Sequence, residues 1–186
     1  MRVISGSAKG IRLESVPGKS TRPITDKVKE ALFNILGSTV VGISILDLFG
    51  GTGAVGIEAL SRGASYAHFL DTNYRAFKTI QHNLEITRLA TKATVLKKDA
   101  FAYLHEEIEK LFDLIYIAPP QYKDLWIKAM HILDDNPGLL NIDGIVIVQI
   151  HPKEYKETVV FRNFKPYDER NYGDTRLIFY EQISSE

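Results

Sequence analysis

The chain has 186 residues, 45% of them hydrophobic and 25% charged, which excludes a disordered or fibrous chain and suits one globular domain with a sizeable core. Cysteine is absent, so disulfides and cysteine-ligated metals are excluded, and a reducing compartment is compatible. Basic and acidic side chains balance at 23 each, so the total does not announce a strongly basic nucleic-acid binder, and no apolar run reaches membrane-spanning length. The opening M-R-V-I-S-G-S-A-K-G has no apolar signal core, so neither secretion nor a membrane partner is expected.

Charge is unevenly spread. Residues 1–30 hold Arg2, Lys9, Arg12, Lys19, Arg22, Lys27 and Lys29 against Glu14, Asp26 and Glu30. A basic arm on a mildly acidic body suits phosphate contact, although a solvated hairpin face accounts for the same charges.

In chain order, residues 2–4 and 11–13 flank S-G-S-A-K-G and read as a β-hairpin. Residues 15–23, rich in Pro, Gly, Ser and Thr, read as a loop. Thr25 or Asp26 caps a helix to Leu36, with Val28, Ala31, Leu32, Ile35 and Leu36 on one face and Gly37 as the stop. Strand and helix then alternate. Strands are expected at 43–49, 66–71, 93–97, 113–118 and 144–150, and helices at 54–62, 73–87, 101–110 and 123–133. Phe77, Ile80, Leu84 and Leu89 mark the buried side of the second of these helices. This alternation predicts an α/β, doubly wound, Rossmann-like parallel sheet covered on both faces. After residue 150 the rhythm changes. Residues 157–164 and 176–183 read as two strands separated by a polar loop, pairing antiparallel at one sheet edge. The whole reads as a single domain over 1–186, with 1–24 as an N-terminal extension and 25–186 as the core.

The sequence I-S-I-L-D-L-F-G-G-T-G-A-V-G at 43–56 is a buried strand, a glycine turn and a helix start. Gly51, Gly53 and Gly56 satisfy G-x-G-x-x-G, and Asp71 follows at a distance suited to ribose hydroxyls, which taken alone supports a nicotinamide enzyme. Asp47 argues against it. A carboxylate at the strand end repels a pyrophosphate but suits the cationic sulfonium and amino groups of S-adenosylmethionine. Asp47, Asp71 and Asp99 stand at the carboxyl ends of successive strands, where ligands bind in such sheets. They are assigned to the methionine end, the ribose and the adenine amino group. The candidate cofactor residues are Asp47, Phe49, Gly51, Gly53, Asp71, Asp99 and Ala100. Each of these taken singly has a structural reading: Asp47 as a loop cap, the glycines as close packing, Asp71 as a surface residue.

The fourth strand ends in Ile117-Ala118-Pro119-Pro120-Gln121-Tyr122. This resembles amino-group nucleic-acid methyltransferases, which carry Asp or Asn, two prolines and an aromatic there. An exocyclic amine is a poor nucleophile because its lone pair is delocalised into the ring. Acceptors on its N–H groups localise that pair, and an aromatic face holds the base. The resemblance makes Ala118, Pro119, Pro120 and Tyr122 the catalytic candidates. Ala118 departs from the pattern by lacking an acceptor, and Gln121 displaces the aromatic by one place. A loop merely stiffened by two prolines is the competing reading.

Four blocks taken together resemble the RsmD family: R-V-I-S-G-S-A-K-G at 2–10, T-R-P-I-T-D-K-V-K-E-A-L-F-N-I-L at 21–36, D-L-F-G-G-T-G-A-V-G-I-E-A-L-S-R-G-A at 47–64 and N-Y-G-D-T-R-L-I-F-Y at 171–180. The resemblance implies a class I methyltransferase fold, a seven-stranded mostly parallel sheet with an antiparallel C-terminal hairpin. It also implies methylation of guanine N2 in small-subunit ribosomal RNA, as free RNA or in the assembling subunit, and a place in the bacterial cytoplasm. The N-terminal hairpin and the Arg22-Pro23 loop would cover the cofactor and meet RNA, with Arg2, Lys9, Arg12, Arg22 and Lys27 as phosphate contacts. The five histidines show no ligand spacing, so no metal is assigned. Trp126 and Met130 read as core. Ala118 keeps a second class open, a cofactor-binding RNA-binding protein with lapsed catalysis. A third reading is an adenine-N6 methyltransferase, and an NAD dehydrogenase comes last.

Overall fold

The computed structural model describes residues 1–18, 24–106 and 111–183. Among the described residues, seven strands form one sheet: β1 (Ser44–Asp47), β2 (Tyr66–Leu70), β3 (Ala93–Leu96), β4 (Phe112–Ile117), β5 (Leu140–Ile150), β6 (Phe164–Tyr172) and β7 (Thr175–Gln182). Their order is β3-β2-β1-β4-β5-β7-β6. β1 to β5 are parallel, and β7 pairs antiparallel with both β5 and β6. The helices are α1 (Asp26–Leu36), α2 (Ala54–Ser61), α3 (Tyr74–Ile86), α4 (Ala100–Leu104) and α5 (Leu125–Asp135). One apolar cluster joins the N-terminal arm, α1, α2 and α3 to one face of the sheet. A second joins α4 and α5 to the other face. Strand order reverses direction between β1 and β4, and that switch point is where the carboxyl edge opens a crevice.

The local signals explain the elements. Thr25 accepts from the Val28 N–H as the α1 cap, and Asn73 caps α3 through Arg75 N. On α3 the buried residues are Ala76, Thr79, Ile80, Asn83 and Leu84. Phe77, expected among them, is only half-buried and stacks beside Tyr74. Gly56 lets α2 lie against β2, because a Cβ there would come within 2.4 Å of the Phe69 ring.

The expected N-terminal hairpin forms as a single antiparallel bridge, Arg2 to Arg12, rather than a ladder. It is not a loose appendage, since Val3, Ala8, Leu13 and Val16 are buried. Its turn docks on the end of α2: Ser7 N donates to Ser61 O, Ala8 N donates to Ser61 Oγ, and Ser61 Oγ donates to Ser5 O. Gly6, at φ +82°, passes so close to the Ser61 carbonyl that a Cβ would overlap it. Buried Glu58 accepts from Ile4 N, Ser5 N and Arg62 Nε, and faces Lys29 Nζ at 3.3 Å. Lys29, fully buried, also donates to Arg2 O. An ion pair thus ties arm, α1 and α2 together.

Two expectations are corrected. The strand expected at 157–164 is irregular, because buried Asp134 on α5 accepts the Arg162 and Asn163 N–H groups a ladder would need. The stretch read as a polar loop is instead β6, joined to β7 by a tight turn at Gly173. Only Phe164 of β6 is buried. An edge strand that meets solvent needs no apolar alternation, and its charges and Pro166 suit an edge. The helix expected at 101–110 is shorter: α4 ends at Leu104 with His105 as its C-cap, and 107–110 lie outside the described residues.

Candidate active site

At the switch point lies a cavity of about 740 Å³, a size that suits a nucleotide-scale ligand. Its floor is the β1–α2 turn, Asp47 to Val55, and one flank is Asp71–Asn73 with Lys98–Phe101. Beyond β4 the lining continues with Ala118–Gln121, and Tyr116, Gln149, Ile24 and Thr175 also line the cavity.

The turn is built by backbone bonds. Gly50 N donates to Leu70 O, and Gly53 N to Gly50 O, both at 2.7 Å. Gly53 begins α2 in the left-handed region, φ +77°, which a side chain resists. Asn83, fully buried on α3, donates to Thr52 O at 2.9 Å and exchanges two bonds with the Glu14 backbone. One amide therefore fixes the arm to the glycine turn.

Asp47 is 2% exposed, and its Oδ1 has no hydrogen-bond partner among the described residues. Burial pushes its carboxyl up to about 7, against a bond from the Phe49 N–H and with a further push from Asp71. An orphaned buried carboxylate oxygen is costly unless a ligand meets it. A cationic group entering the cavity would relieve both the burial and the missing partner, whereas an anionic one would worsen them. Asp71 accepts from Gly51 N at 3.0 Å and Asn73 N at 2.8 Å, so it braces the turn while facing the cavity. Asp99 caps α4 through Ala102 N and lines the same cavity. Phe49 and Phe101 meet edge to face, centroids 6.0 Å apart, beside Ala100.

The structure thus gathers Asp47, Phe49, Gly51, Asp71, Asp99, Ala100, Ala118, Pro119 and Pro120 around one cavity, with Gly53 in the turn beneath it. Tyr122 is not among the lining residues. It is 65% exposed at φ +62°, its ring 5.6 Å from that of His151. Arg2, Lys9, Arg12 and Lys27 are all exposed. Lys9 belongs to the turn docked at the C-terminal end of α2, away from the cavity, whereas α2 begins at the cavity floor. Arg22 and Pro23 lie outside the described residues, and the next described residue, Ile24, lines the cavity.

Sequence reasoning missed three features. Tyr116, fully buried, donates its hydroxyl hydrogen to Gln149 Oε1. Phe101 offers an aromatic wall, with Lys128 Nζ 4.1 Å from its ring centroid. Buried Glu154 accepts from Tyr122 N at 2.7 Å and His151 N at 3.1 Å, clamping the end of the double-proline loop to the segment after β5. A polar residue following a run of apolar β5 residues, Gln149, was the one available signal in the sequence.

This topology and this site at the switch point are those of the class I methyltransferase fold. The chain belongs to the family described as Conserved hypothetical protein 95, whose model matches residues 1–181, and through its relatives to the RsmD methyltransferases. It is 39% identical over 184 residues to YlbH of Bacillus subtilis (strain 168), a protein provisionally named an rRNA methyltransferase, covering 98% of this chain and 99% of that one. It is 30% identical over 183 residues to the ribosomal RNA small subunit methyltransferase D of Haemophilus influenzae, covering 97% and 93%. Among solved structures, yhhF of Escherichia coli, provisionally classed as a methyltransferase, superposes with a TM-score of 0.84 at 31% identity, covering 100% of this chain and 99% of that one.

Proposed function

We propose that this chain transfers a methyl group from S-adenosylmethionine to the exocyclic N2 of a guanine in small-subunit ribosomal RNA. The observation that carries the reading is Asp47. A buried carboxylate with an orphaned oxygen, beside a glycine turn and across a cavity from Pro119 and Pro120, fits a cationic donor and repels a pyrophosphate. Relatives named for ribosomal RNA methylation support the substrate. Solved proteins of the same fold hold S-adenosyl-L-homocysteine, the product such a donor leaves.

The donor supplies a methyl group already activated on a sulfonium. The protein's task is alignment and acceptance of hydrogen bonds. Asp47 holds the amino-acid end, Asp71 the ribose hydroxyls, and Asp99, Ala100 and Phe101 the base of the cofactor. Pro120 withholds the N–H that would compete at the strand end, and the Pro119 carbonyl accepts one N–H of the target amine. Tyr122, outside the cavity and paired with His151, offers its ring to RNA at the mouth. Arg2, Arg12, Arg22 and Lys27 serve phosphates, which position RNA without reading its sequence.

The test is methyl transfer from radiolabelled S-adenosylmethionine to small subunits lacking the modification, followed by nucleoside digestion. N2-methylguanosine is expected. Label in N6-methyladenosine would replace the substrate assignment. No transfer, with cofactor binding intact by calorimetry, would overturn the enzyme reading and favour lapsed catalysis, the reading that Ala118 motivates.

A further inference from the structure

The end of β4 presents a chemical gap. An exocyclic amine carries two N–H groups, and the Pro119 carbonyl serves one. At the neighbouring position Ala118 offers only a methyl group. The structure brings a second acceptor to the same place from a different strand.

β4 and β5 run parallel with Ile117 opposite Val148. One residue further on, Ala118 and Gln149 stand side by side at the carboxyl edge. Tyr116 is opposite Ile147, and side chains two apart share a face. Tyr116, Ile147 and Ala118 lie in or against the same apolar cluster, as does Leu177, the β7 partner of Gln149. Gln149 therefore projects on the Ala118 face. Both residues line the cavity together with Pro119.

The amide is oriented by Tyr116. Burial first, and the neighbouring Asp47 charge second, hold the Tyr116 hydroxyl well above its ordinary range. It therefore stays protonated and remains a donor. Its hydrogen goes to Gln149 Oε1, so the amide presents oxygen on this side. A carbonyl-type oxygen has two lone pairs, and the tyrosine takes one.

We propose that Gln149 Oε1, steered by Tyr116, is the second acceptor for the exocyclic amine, standing in for the side chain that Ala118 lacks. This rests on the methyl-transfer reading above. With one N–H on the Pro119 carbonyl and one on Gln149, the amine lone pair is turned out of conjugation and toward the methyl carbon. The N–C bond forms as the C–S bond breaks, and sulfur keeps the bonding electron pair as a neutral thioether. The nitrogen, briefly cationic, releases one proton to solvent along the acceptor it already touches. Gln149 takes no net proton.

The experiment compares wild type, Gln149→Met, Ala118→Asn and the double variant Ala118→Asn/Gln149→Met in the labelled transfer assay. Methionine keeps the length of glutamine and removes the acceptor; Gln149→Ala replaces it should the methionine variant fail to fold on thermal melting. The expected result is a fall in kcat of about tenfold or more for Gln149→Met. Cofactor affinity by calorimetry and KM for RNA stay within about twofold. The double variant recovers most of the loss, because the new amide restores an acceptor at the neighbouring position. An unchanged kcat in Gln149→Met, or a loss that Ala118→Asn does not relieve, overturns the role of Gln149 and leaves the methyl-transfer reading standing. A wild-type protein that binds cofactor yet methylates no RNA overturns both.

Discussion

The sharpest consequence of the site is a pH dependence of cofactor affinity. Asp47 is pushed up to about 7 by burial, against an ordinary carboxyl value of 3.8. A cationic ligand needs the ionised form, so the bound complex pulls that value back down and a proton is released. The sign follows directly. Affinity is fullest above pH 7 and falls as pH drops through it. At pH 6 roughly one tenth of Asp47 is ionised, so affinity weakens about tenfold, equivalent to about 1.4 kcal/mol. Titration calorimetry with S-adenosylhomocysteine in two buffers of different ionisation enthalpy counts the protons. About 0.9 should leave per ligand at pH 6 and about 0.1 at pH 8. Asp47→Asn removes the charge at nearly constant volume. It should weaken binding by about 10- to 100-fold, the worth of a charged hydrogen bond, and abolish the proton release. Affinity that is level from pH 6 to 8 in the wild type would refute the placement of a cation at Asp47. The same group affects the cofactor-free fold with opposite sense. Its raised value means the folded state holds a proton the unfolded chain gives up, so stability declines as pH rises from about 4 to 7, and Asp47→Asn should flatten that decline in urea titrations.

Further outcomes follow from packing and anchoring. Glu154→Ala removes the acceptor of two N–H groups at the end of the double-proline loop. It should cost about 1–3 kcal/mol in denaturant unfolding and lower kcat for methyl transfer more than cofactor affinity. Glu58→Ala leaves Lys29 buried without its carboxylate. A loss of about 3–5 kcal/mol is expected, with early proteolytic cleavage in the N-terminal arm; unchanged resistance would contradict the anchoring role. Gly56→Ala drives a methyl group into the Phe69 ring and should lower stability by about 1–3 kcal/mol by thermal melting.

What was legible in the sequence divides along a physical line. Features set by neighbours in the chain were readable. The start of α1 at Thr25 or Asp26, the glycine turn, the alternation of strand and helix, and the order Asp47, Asp71, Asp99 all depend on local periodicity or on topology that periodicity implies. The carboxyl-edge rule then brought the three carboxylates to one cavity. What was hidden depends on partners far away in sequence. Asp134 takes the N–H groups of Arg162 and Asn163, so an apolar stretch with strand character does not join the sheet. β6 carries almost no apolar pattern, because its place at the edge asks for none. The Tyr116–Gln149 bond joins residues 33 apart, and the Glu154 clamp on Tyr122 joins residues 32 apart. No local window holds either pair. Lys29 looked like one more charge of a basic arm, yet it is fully buried against Glu58. A positive count along a segment does not distinguish a phosphate contact from a buried anchor.

The most direct test of the account is a crystal structure of this protein with S-adenosylhomocysteine. The ligand amino group is expected on Asp47 Oδ1, the ribose on Asp71, and the sulfur facing Pro119 and Gln149 across the cavity. A ligand whose amino-acid end lies away from Asp47, or whose sulfur points away from the end of β4, would contradict it.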